Sequence, residues 1–196
     1  MKTKNLLLVG VGGQGVLLAS SIISLAAQNS GNDVKMSEVH GMAQRGGVVS
    51  THVRYGEKVY SPLIAVGDAD IILAFEAAEA LRWSHHLKPE GVLYASPYKL
   101  VPPIVSSGRK YSYPENPLNQ VRLKVKHMVE VDAFAIAMKL GNPRLANTAM
   151  VGALSLHSGI ELEHWENAIR KLAPKNTAEP NLLAFHEGRK VAESGA

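Results

Sequence analysis

The sequence predicts an α/β fold, in which a mostly parallel sheet carries helices on both faces and a C-terminal helical tail follows. Three observations support this prediction. Short apolar runs of strand length alternate with segments of helical periodicity along most of the chain. The first such run leads through a G-x-G-x-x-G turn directly into a helical pattern. Two further helical segments close the sequence. We therefore expect a Rossmann-like sheet in a single domain over residues 1–196.

The first strand and the first helix are the clearest of these elements. Residues 6–9 form an apolar run of buried-strand length, and apolar residues after the glycines recur at helical spacing. A second strand is predicted over residues 34–37, after the turn sequence NSGND. Extended character returns over residues 48–55, and the Gly56-Glu57 turn predicts a hairpin whose return strand is KVYSPLI.

Strands and helices alternate more regularly in the second half of the chain. Residues 71–75 are typical of a buried strand, and a helix follows that ends before Pro89. A proline-rich stretch between residues 97 and 117 interrupts the pattern, and we interpret it as a surface excursion. The remaining predicted elements are strands over residues 92–95 and 128–131, helices over 133–140 and NTAMVGALSLHSG, and the tail helices EHWENAIRKLA and NLLAFHEGRKVAE.

Composition excludes several kinds of site and several classes of protein. The chain has 196 residues, no cysteine and a formal net charge of +4. Without cysteine it cannot form disulfides, thiolate metal sites or cysteine-ligated iron–sulfur clusters. The modest positive charge favours acidic or phosphorylated partners and does not by itself indicate nucleic acid. We find neither a signal-peptide pattern nor an apolar run of membrane-spanning length, and we expect a cytoplasmic protein.

The glycine turn between the first strand and the first helix is the first candidate binding site. Its spacing suits a helix N-terminus that approaches a phosphate. A dinucleotide site also needs an acidic residue after the second strand, roughly 20 residues on, to bind the ribose. The nearest acid here is Glu38, which lies farther along the chain. Alternatively, the glycines only let the helix lie close to the sheet. The turn comprises Gly10, Gly12, Gly13, Gln14 and Gly15.

The segment SEVHGMAQRGG is the second candidate site. Because residues 37–47 show no strand or helix periodicity, we predict a loop at the same sheet edge as the glycine turn, facing a common crevice. The segment combines an acid, a titratable base, an amide and a cation with glycines, and a cation in such a loop suits a phosphate, a carboxylate or an acidic partner. The alternative is a loop ordered by its own hydrogen bonds. Its candidate residues are Glu38, His40, Gly41, Gln44, Arg45, Gly46 and Gly47.

The other polar residues do not form a recognisable catalytic group. His85 and His86 are adjacent, so on a helix they point in different directions, and we interpret them as surface residues rather than a metal pair. Asp68 and Asp70 precede a strand, at the end opposite to the usual ligand edge, which favours turn and capping roles. We therefore predict no certain catalytic residue and no metal site in this chain.

Several ordered motifs resemble one enzyme family. They are GVGGQGVLLAS, SEVHGMAQRGGVVSTHVRYG, YSPLI, ADIILAFEAAEALR, LGNPRLANTAMVGAL and NLLAFHEG. Together they resemble the beta subunit of indolepyruvate:ferredoxin oxidoreductase, which is similar to the gamma subunit or domain of the wider 2-oxoacid:ferredoxin oxidoreductases. The likeness runs from about residue 5 to about residue 189. The proline-rich stretch matches no motif of the family, so the preferred 2-oxoacid stays open.

The resemblance implies an accessory oxidoreductase subunit that is inactive in isolation. In this family the complex decarboxylates an aryl pyruvate, passes electrons to ferredoxin and forms an acyl-coenzyme A. The resemblance places thiamine diphosphate and the iron–sulfur clusters on a large alpha subunit, in an alpha-beta or alpha2-beta2 assembly, and no cofactor on this chain alone. Both candidate sites would then face that subunit, with coenzyme A as the ligand that best suits the glycine turn.

Two alternatives to the accessory subunit remain at this stage. One is a stand-alone NAD(P)-binding reductase that uses the glycine turn, with Glu38 on the adenosine ribose. The other is a binding protein with a Rossmann-like core, which either binds a nucleotide or has lost its ligand. Binding of NADH by the isolated chain would favour the reductase.

Overall fold

A central sheet organises the protein, which a computed structural model describes over residues 3–40, 46–101 and 112–194, with only the backbone of His40. Within these residues the sheet has six strands in the order β2-β3-β1-β4-β5-β6. The strands are β1 (Lys4–Val11), β2 (Asp33–His40), β3 (Val48–Gly56), β4 (Ala69–Ala74), β5 (Leu87–Ala95) and β6 (His127–Glu130).

All strands but one point in the same direction. The pairs β1–β4, β4–β5 and β5–β6 are parallel, whereas β3 is antiparallel to both β1 and β2. The connection from β2 to β3 is too short for a crossover, so β3 must return antiparallel beside β2. The mostly parallel sheet is thus confirmed, with β3 as an inserted exception between β1 and β2.

Helices cover both faces of the sheet, as predicted. Helices α1 and α4 to α7 pack on one face, and α2 and α3 pack on the other. Short 3-10 turns precede β5 and α5. The helices are α1 (Val16–Asn29), α2 (Ala77–Trp83), α3 (Pro117–Arg122), α4 (Ala133–Lys139), α5 (Ala146–Ser155), α6 (Leu162–Leu172) and α7 (Ala178–Ser194).

The predicted C-terminal helices are present, and they are part of the larger core. Trp165 of α6 and Phe185 of α7 are fully buried among residues of α1 and α5. Where α5 and α7 cross, a Cβ added to Gly152 would lie 1.9 Å from the Phe185 carbonyl oxygen. A Cβ added to Gly188 would lie equally close to the Ala149 carbonyl oxygen. The two helices therefore approach backbone to backbone, which only glycine permits.

Two local predictions are wrong. Strand β2 continues to His40, which pairs with Val49, so residues 37–40 belong to a strand and not to a loop. Pairing with β3 stabilises this polar edge strand without an apolar pattern of its own. The segment KVYSPLI forms no strand; it is irregular, and Arg54 Nη1 donates to the Ser61 carbonyl at 2.8 Å. None of the described helices is long and apolar enough to cross a membrane.

Candidate functional site

A cleft of about 490 Å³ opens at the carboxyl-terminal ends of β1, β4 and β5. Its walls come from the glycine turn, the residues that follow β4 and β5, the start of α4, the turn before α5 and the start of α7. Ligands of open α/β sheets bind at this edge, outside the carboxyl ends of the strands. The volume lies within the range of about 300–1,000 Å³ that is usual for small-molecule sites.

The glycine turn adopts a conformation that leaves the start of α1 accessible. Gly15 precedes the helix with φ 78°, and Gly13 has φ 105°, both in the left-handed region. No atom of the described residues lies within 4 Å of where a Gly13 Cβ would stand. No side chain of the described residues caps α1, and its first turn carries no acidic residue. Its first N–H groups, which lack partners inside the helix, therefore form a positively polarised edge of the cleft.

Gln14 fixes the shape of this turn. Its Oε1 accepts a hydrogen bond from the Val11 backbone N–H at 2.8 Å, and its Nε2 donates to the Phe75 carbonyl at 2.9 Å. A Cβ on Gly10 would lie 2.8 Å from Gln14 Oε1, so glycine there leaves room for the amide. The side chain therefore ties the turn to the end of β4, and both ends of its amide already have partners.

A buried polar network forms the floor of the cleft. Asn147 and Asn181 are only 5% and 4% exposed. Asn147 Nδ2 donates to the Gly15 carbonyl at 3.3 Å, and Thr148 Oγ1 donates to Asn181 Oδ1 at 2.6 Å. Asn181 Nδ2 in turn donates to the Thr177 carbonyl at 2.8 Å. The network joins the starts of α1, α5 and α7. Its hydrogen bonds satisfy the buried amides, which would be costly to leave unpaired at this depth.

An aromatic pair and a cation complete the walls. The rings of Tyr98 and Phe134 lie 4.9 Å apart with an interplanar angle of 33°, and Phe134 remains 37% exposed. Both rings line the cleft, as does Arg144 in the turn before α5. Within the described part of the chain, no carboxylate forms an ion pair with Arg144. The cleft thus combines a flat apolar surface with a fixed positive charge, which suits an anionic ligand with a planar group.

Among the described residues of the second candidate segment, the last two contact the glycine turn. Gly12 N–H donates to the Gly47 carbonyl at 2.8 Å, and Gly46 N–H donates to the Gly12 carbonyl at 3.4 Å. These backbone bonds bring Gly46 and Gly47 to the same sheet edge as the turn. The predicted site residues Gly41, Gln44 and Arg45, by contrast, lie outside the described residues.

Glu38 does not occupy the place of a ribose-binding acid. It lies within β2, opposite Thr51 of β3. Because β3 stands between β1 and β2, Glu38 is two strand spacings, about 10 Å, from the strand that leads into the glycine turn. The backbone of His40 pairs with Val49 at the end of the same strand. This arrangement does not favour the dinucleotide interpretation.

The histidine pair departs from the prediction in part. His85 is exposed as expected, but His86 is buried, and its ring lies edge-on against Trp83 at a centroid distance of 5.0 Å. Burial lowers the pKa of His86, and its Nδ1 has no hydrogen-bond partner among the residues that the structure describes. Over the described residues, no cluster of three or more histidine, aspartate or glutamate side chains could hold a metal ion.

Sequence reasoning missed the walls and floor of the cleft. Tyr98 lies in the proline-rich stretch, and Phe134 lies in a short helix that otherwise follows an apolar pattern. Asn147 and Thr148 interrupt the apolar helix NTAMVGALS, which is a signal for a buried polar contact. Their relation to the glycine turn depends on tertiary contacts between distant segments.

Comparison with known proteins agrees with this architecture. Residues 5–191 match the family model for pyruvate ferredoxin/flavodoxin oxidoreductase. The chain is 38% identical to indolepyruvate oxidoreductase subunit IorB of Thermococcus kodakarensis over 200 residues, which covers 98% of each chain. It is thus similar to that subunit over nearly its whole length.

Two solved structures share the fold. The gamma subunit of a keto/oxoacid ferredoxin oxidoreductase from Geobacter sulfurreducens has a TM-score of 0.72 at 24% identity, covering 97% of this chain and 99% of that one. The 2-oxoglutarate:ferredoxin oxidoreductase from Magnetococcus marinus, with 2-oxoglutarate, coenzyme A and succinyl-CoA bound, has a TM-score of 0.75 at 19% identity, covering 100% of this chain and 32% of that one. The family match over most of the sequence is decisive: this chain belongs to the pyruvate ferredoxin/flavodoxin oxidoreductase family.

Proposed function

We propose that this chain, as a single domain over residues 1–196, is the accessory subunit of a 2-oxoacid:ferredoxin oxidoreductase that acts on indolepyruvate or a related aryl pyruvate. The observation that carries the proposal is the open cleft beside α1, in a chain whose residues 5–191 match this family. The aryl pyruvate rests on the name of the Thermococcus relative.

The cofactors belong to a larger alpha subunit in this proposal. Thiamine diphosphate and iron–sulfur clusters there would supply decarboxylation and electron transfer to ferredoxin. The donor set of this chain is consistent with that division, because a sequence without cysteine cannot ligate such clusters through thiolates. Gly41, Gln44 and Arg45 stay predicted members of the surface shared with that subunit, together with Glu38, His40, Gly46 and Gly47.

We infer that the cleft of this chain binds coenzyme A. The N–H groups at the start of α1 would receive its pyrophosphate, since a helix N-terminus behind a glycine turn favours phosphate. Arg144 would neutralise a second phosphate, and the Tyr98–Phe134 pair would stack on the adenine ring. The Magnetococcus relative, which has coenzyme A in its structure, supports the choice of ligand.

The other residues of the cleft would orient this ligand. Gln14 holds the glycine turn in position against the end of β4. The buried Asn147 and Asn181 keep the floor polar and rigid, so that water is excluded without loss of hydrogen bonds. In this role the chain delivers coenzyme A to a reaction that occurs on the partner.

Reconstitution tests the proposal. The purified chain should not reduce viologen with indolepyruvate, whereas anaerobic co-expression with the thiamine-dependent iron–sulfur subunit should restore activity that depends on coenzyme A. The matched control replaces indolepyruvate with 2-oxoglutarate and is expected to be much slower. Viologen reduction by the single chain would contradict the proposal, as would an assembled complex that ignores coenzyme A.

A further inference from the structure

A buried glutamate behind the cleft joins two parts of the chain. Glu76 follows β4 and is only 1% exposed. Its Oε2 accepts hydrogen bonds from the N–H groups of Ala78 at 2.8 Å and Glu79 at 3.0 Å, and so caps α2. Its Oε1 accepts from the Leu100 N–H at 3.2 Å and from the Tyr113 hydroxyl. One carboxylate therefore links the start of α2 to both Leu100 and Tyr113.

These bonds hold the wall of the cleft that carries Tyr98. The Ala77 N–H donates to the Tyr98 carbonyl at 3.0 Å, one position after Glu76. The Tyr98 N–H donates to Ser96 Oγ at 3.2 Å. Glu76 also accepts a bond from the Leu100 N–H. Hydrogen bonds therefore hold the backbone both at Tyr98 and two residues after it. The Tyr98 ring is thereby placed 4.9 Å from Phe134 on the cleft wall.

The cap alone does not explain this arrangement. A helix N-cap needs one acceptor oxygen, which a shorter Ser, Thr, Asp or Asn supplies more often than Glu. Here the longer side chain leaves its second oxygen for Leu100 and Tyr113. Burial, together with the Glu76 carboxylate, raises the pKa of the Tyr113 hydroxyl, so it remains a donor at neutral pH.

We propose that Glu76 is a positioning residue that sets the Tyr98 wall and thereby the affinity of the cleft for the planar group of its ligand. Glu76 is not among the residues that line the cleft. The inference rests on the proposed function, since it takes coenzyme A as that ligand. It adds that one carboxylate outside the cleft both caps α2 and holds the backbone that positions the Tyr98 ring.

The decisive variant is Glu76→Asp, which separates those tasks. Aspartate can still cap α2 but is one methylene too short to hold Leu100 and Tyr113 at the same time. In the assembled complex we expect the KM for coenzyme A to rise about tenfold, the effect of losing a hydrogen bond to a charged group. We expect kcat and the KM for the oxoacid to stay within about twofold, because neither depends on the Tyr98 wall.

Glu79→Gln is the matched control. Glu79 lies in the same helix and is 4% exposed, but within the described chain its carboxylate accepts hydrogen bonds from Arg82 and Trp83 of α2 and none from the Tyr98 wall. This variant should leave the KM for coenzyme A within about twofold of the wild type. Tyr113→Phe removes a single bond to Glu76 and should raise that KM about threefold.

The outcomes are distinguishable. A rise in the KM for coenzyme A with Glu76→Asp and Tyr113→Phe, but not with Glu79→Gln, supports the inference. If Glu76→Asp fails to fold, Tyr113→Phe decides, and an unchanged KM there overturns the inference. A lower Tm with an unchanged KM in Glu76→Asp shows a purely structural cap and also overturns it. A wild-type complex whose turnover does not depend on coenzyme A overturns the proposed function itself.

Discussion

Glycine has opposite tasks in two regions of this protein. At the crossing of α5 and α7, Gly152 and Gly188 let two backbones touch, and an added Cβ would lie 1.9 Å from a carbonyl oxygen. At the turn before α1, Gly13 has a left-handed φ of 105°, and no described residue comes within 4 Å of where its Cβ would stand. The first region is closed and provides stability, while the second is open at the cleft where we propose that coenzyme A binds. Glycine in a motif thus indicates function only when its neighbours leave the backbone exposed.

Gly188→Ala should have the largest effect on stability. The new methyl group cannot be accommodated unless α5 and α7 separate, because the atom it meets is the backbone oxygen of Ala149. We expect the free energy of unfolding to fall by about 3 kcal/mol or more. Urea denaturation of the isolated chain measures this loss. A decrease below about 1 kcal/mol would show that the crossing of α5 and α7 has room for a methyl group, which would contradict this account of Gly188.

Gly15→Ala should have an intermediate effect on stability and should also change the cleft. Its φ of 78° disfavours a side chain, and the new Cβ would lie 2.4 Å from Asn147 Nδ2 on the cleft floor. The left-handed backbone costs about 1–2 kcal/mol for a non-glycine residue, so we expect a loss of about 2 kcal/mol in stability. The same variant should weaken binding of coenzyme A.

Gly13→Ala is the matched control for that variant. Gly13 shares the left-handed backbone, but its new Cβ would meet no atom within 4 Å in the part of the chain that the structure describes. We expect a smaller loss, about 1 kcal/mol, in the same urea titration. Equal losses for Gly13→Ala and Gly15→Ala would show that the Asn147 contact contributes nothing.

Acid should weaken the core without acting on the cleft. Burial lowers the pKa of His52 and of His86, and nearby histidines lower the pKa of His86 further. The unfolded chain therefore binds more protons than the folded chain once the pH falls below their ordinary value of 6.5. Stability is thus full above about pH 6.5 and declines as the pH falls toward the lowered values of the folded state.

His86→Phe tests this effect with the smallest expected change. Phenylalanine can keep the edge-on contact with Trp83 and removes the unpartnered Nδ1. Between pH 7.5 and pH 5 we expect the variant to lose about 1 kcal/mol less stability than the wild type. Urea midpoints at the two pH values measure the difference. Identical losses in both proteins would exclude His86 as a source of the acid sensitivity.

The sheet shows how much of the fold can be predicted from the sequence. Strands β1 and β4 were predictable because burial on both faces requires a continuous apolar run. The polar end of β2 could not be predicted in this way. An edge strand needs no continuous apolar run, because its backbone hydrogen bonds come from β3. The antiparallel insertion of β3 was also not predicted, since local patterns carry no information on strand order.

The candidate site also has one part that could be predicted from the sequence and one part that could not. The glycine turn is local, so its spacing in the sequence predicted both its position and its entry into α1. Tyr98 and Asn147 come from distant segments and meet the turn only through tertiary contacts. Gln14 was expected among the ligand-site residues, and the structure places it in the lining of the cleft with its amide bonded to the backbone. Residue type alone could not distinguish a ligand contact from a support for the turn.

The most direct test of the central claim is the KM for coenzyme A of an assembled complex that carries Arg144→Ala. Arg144 is exposed on the cleft and makes no ion pair with another described residue, so stability should change by less than about 0.5 kcal/mol. We predict a KM for coenzyme A about tenfold above the wild type, with an unchanged KM for the oxoacid. Lys124→Ala, an exposed cation outside the cleft, should leave both values unchanged. An unaltered KM for coenzyme A in Arg144→Ala would contradict the account.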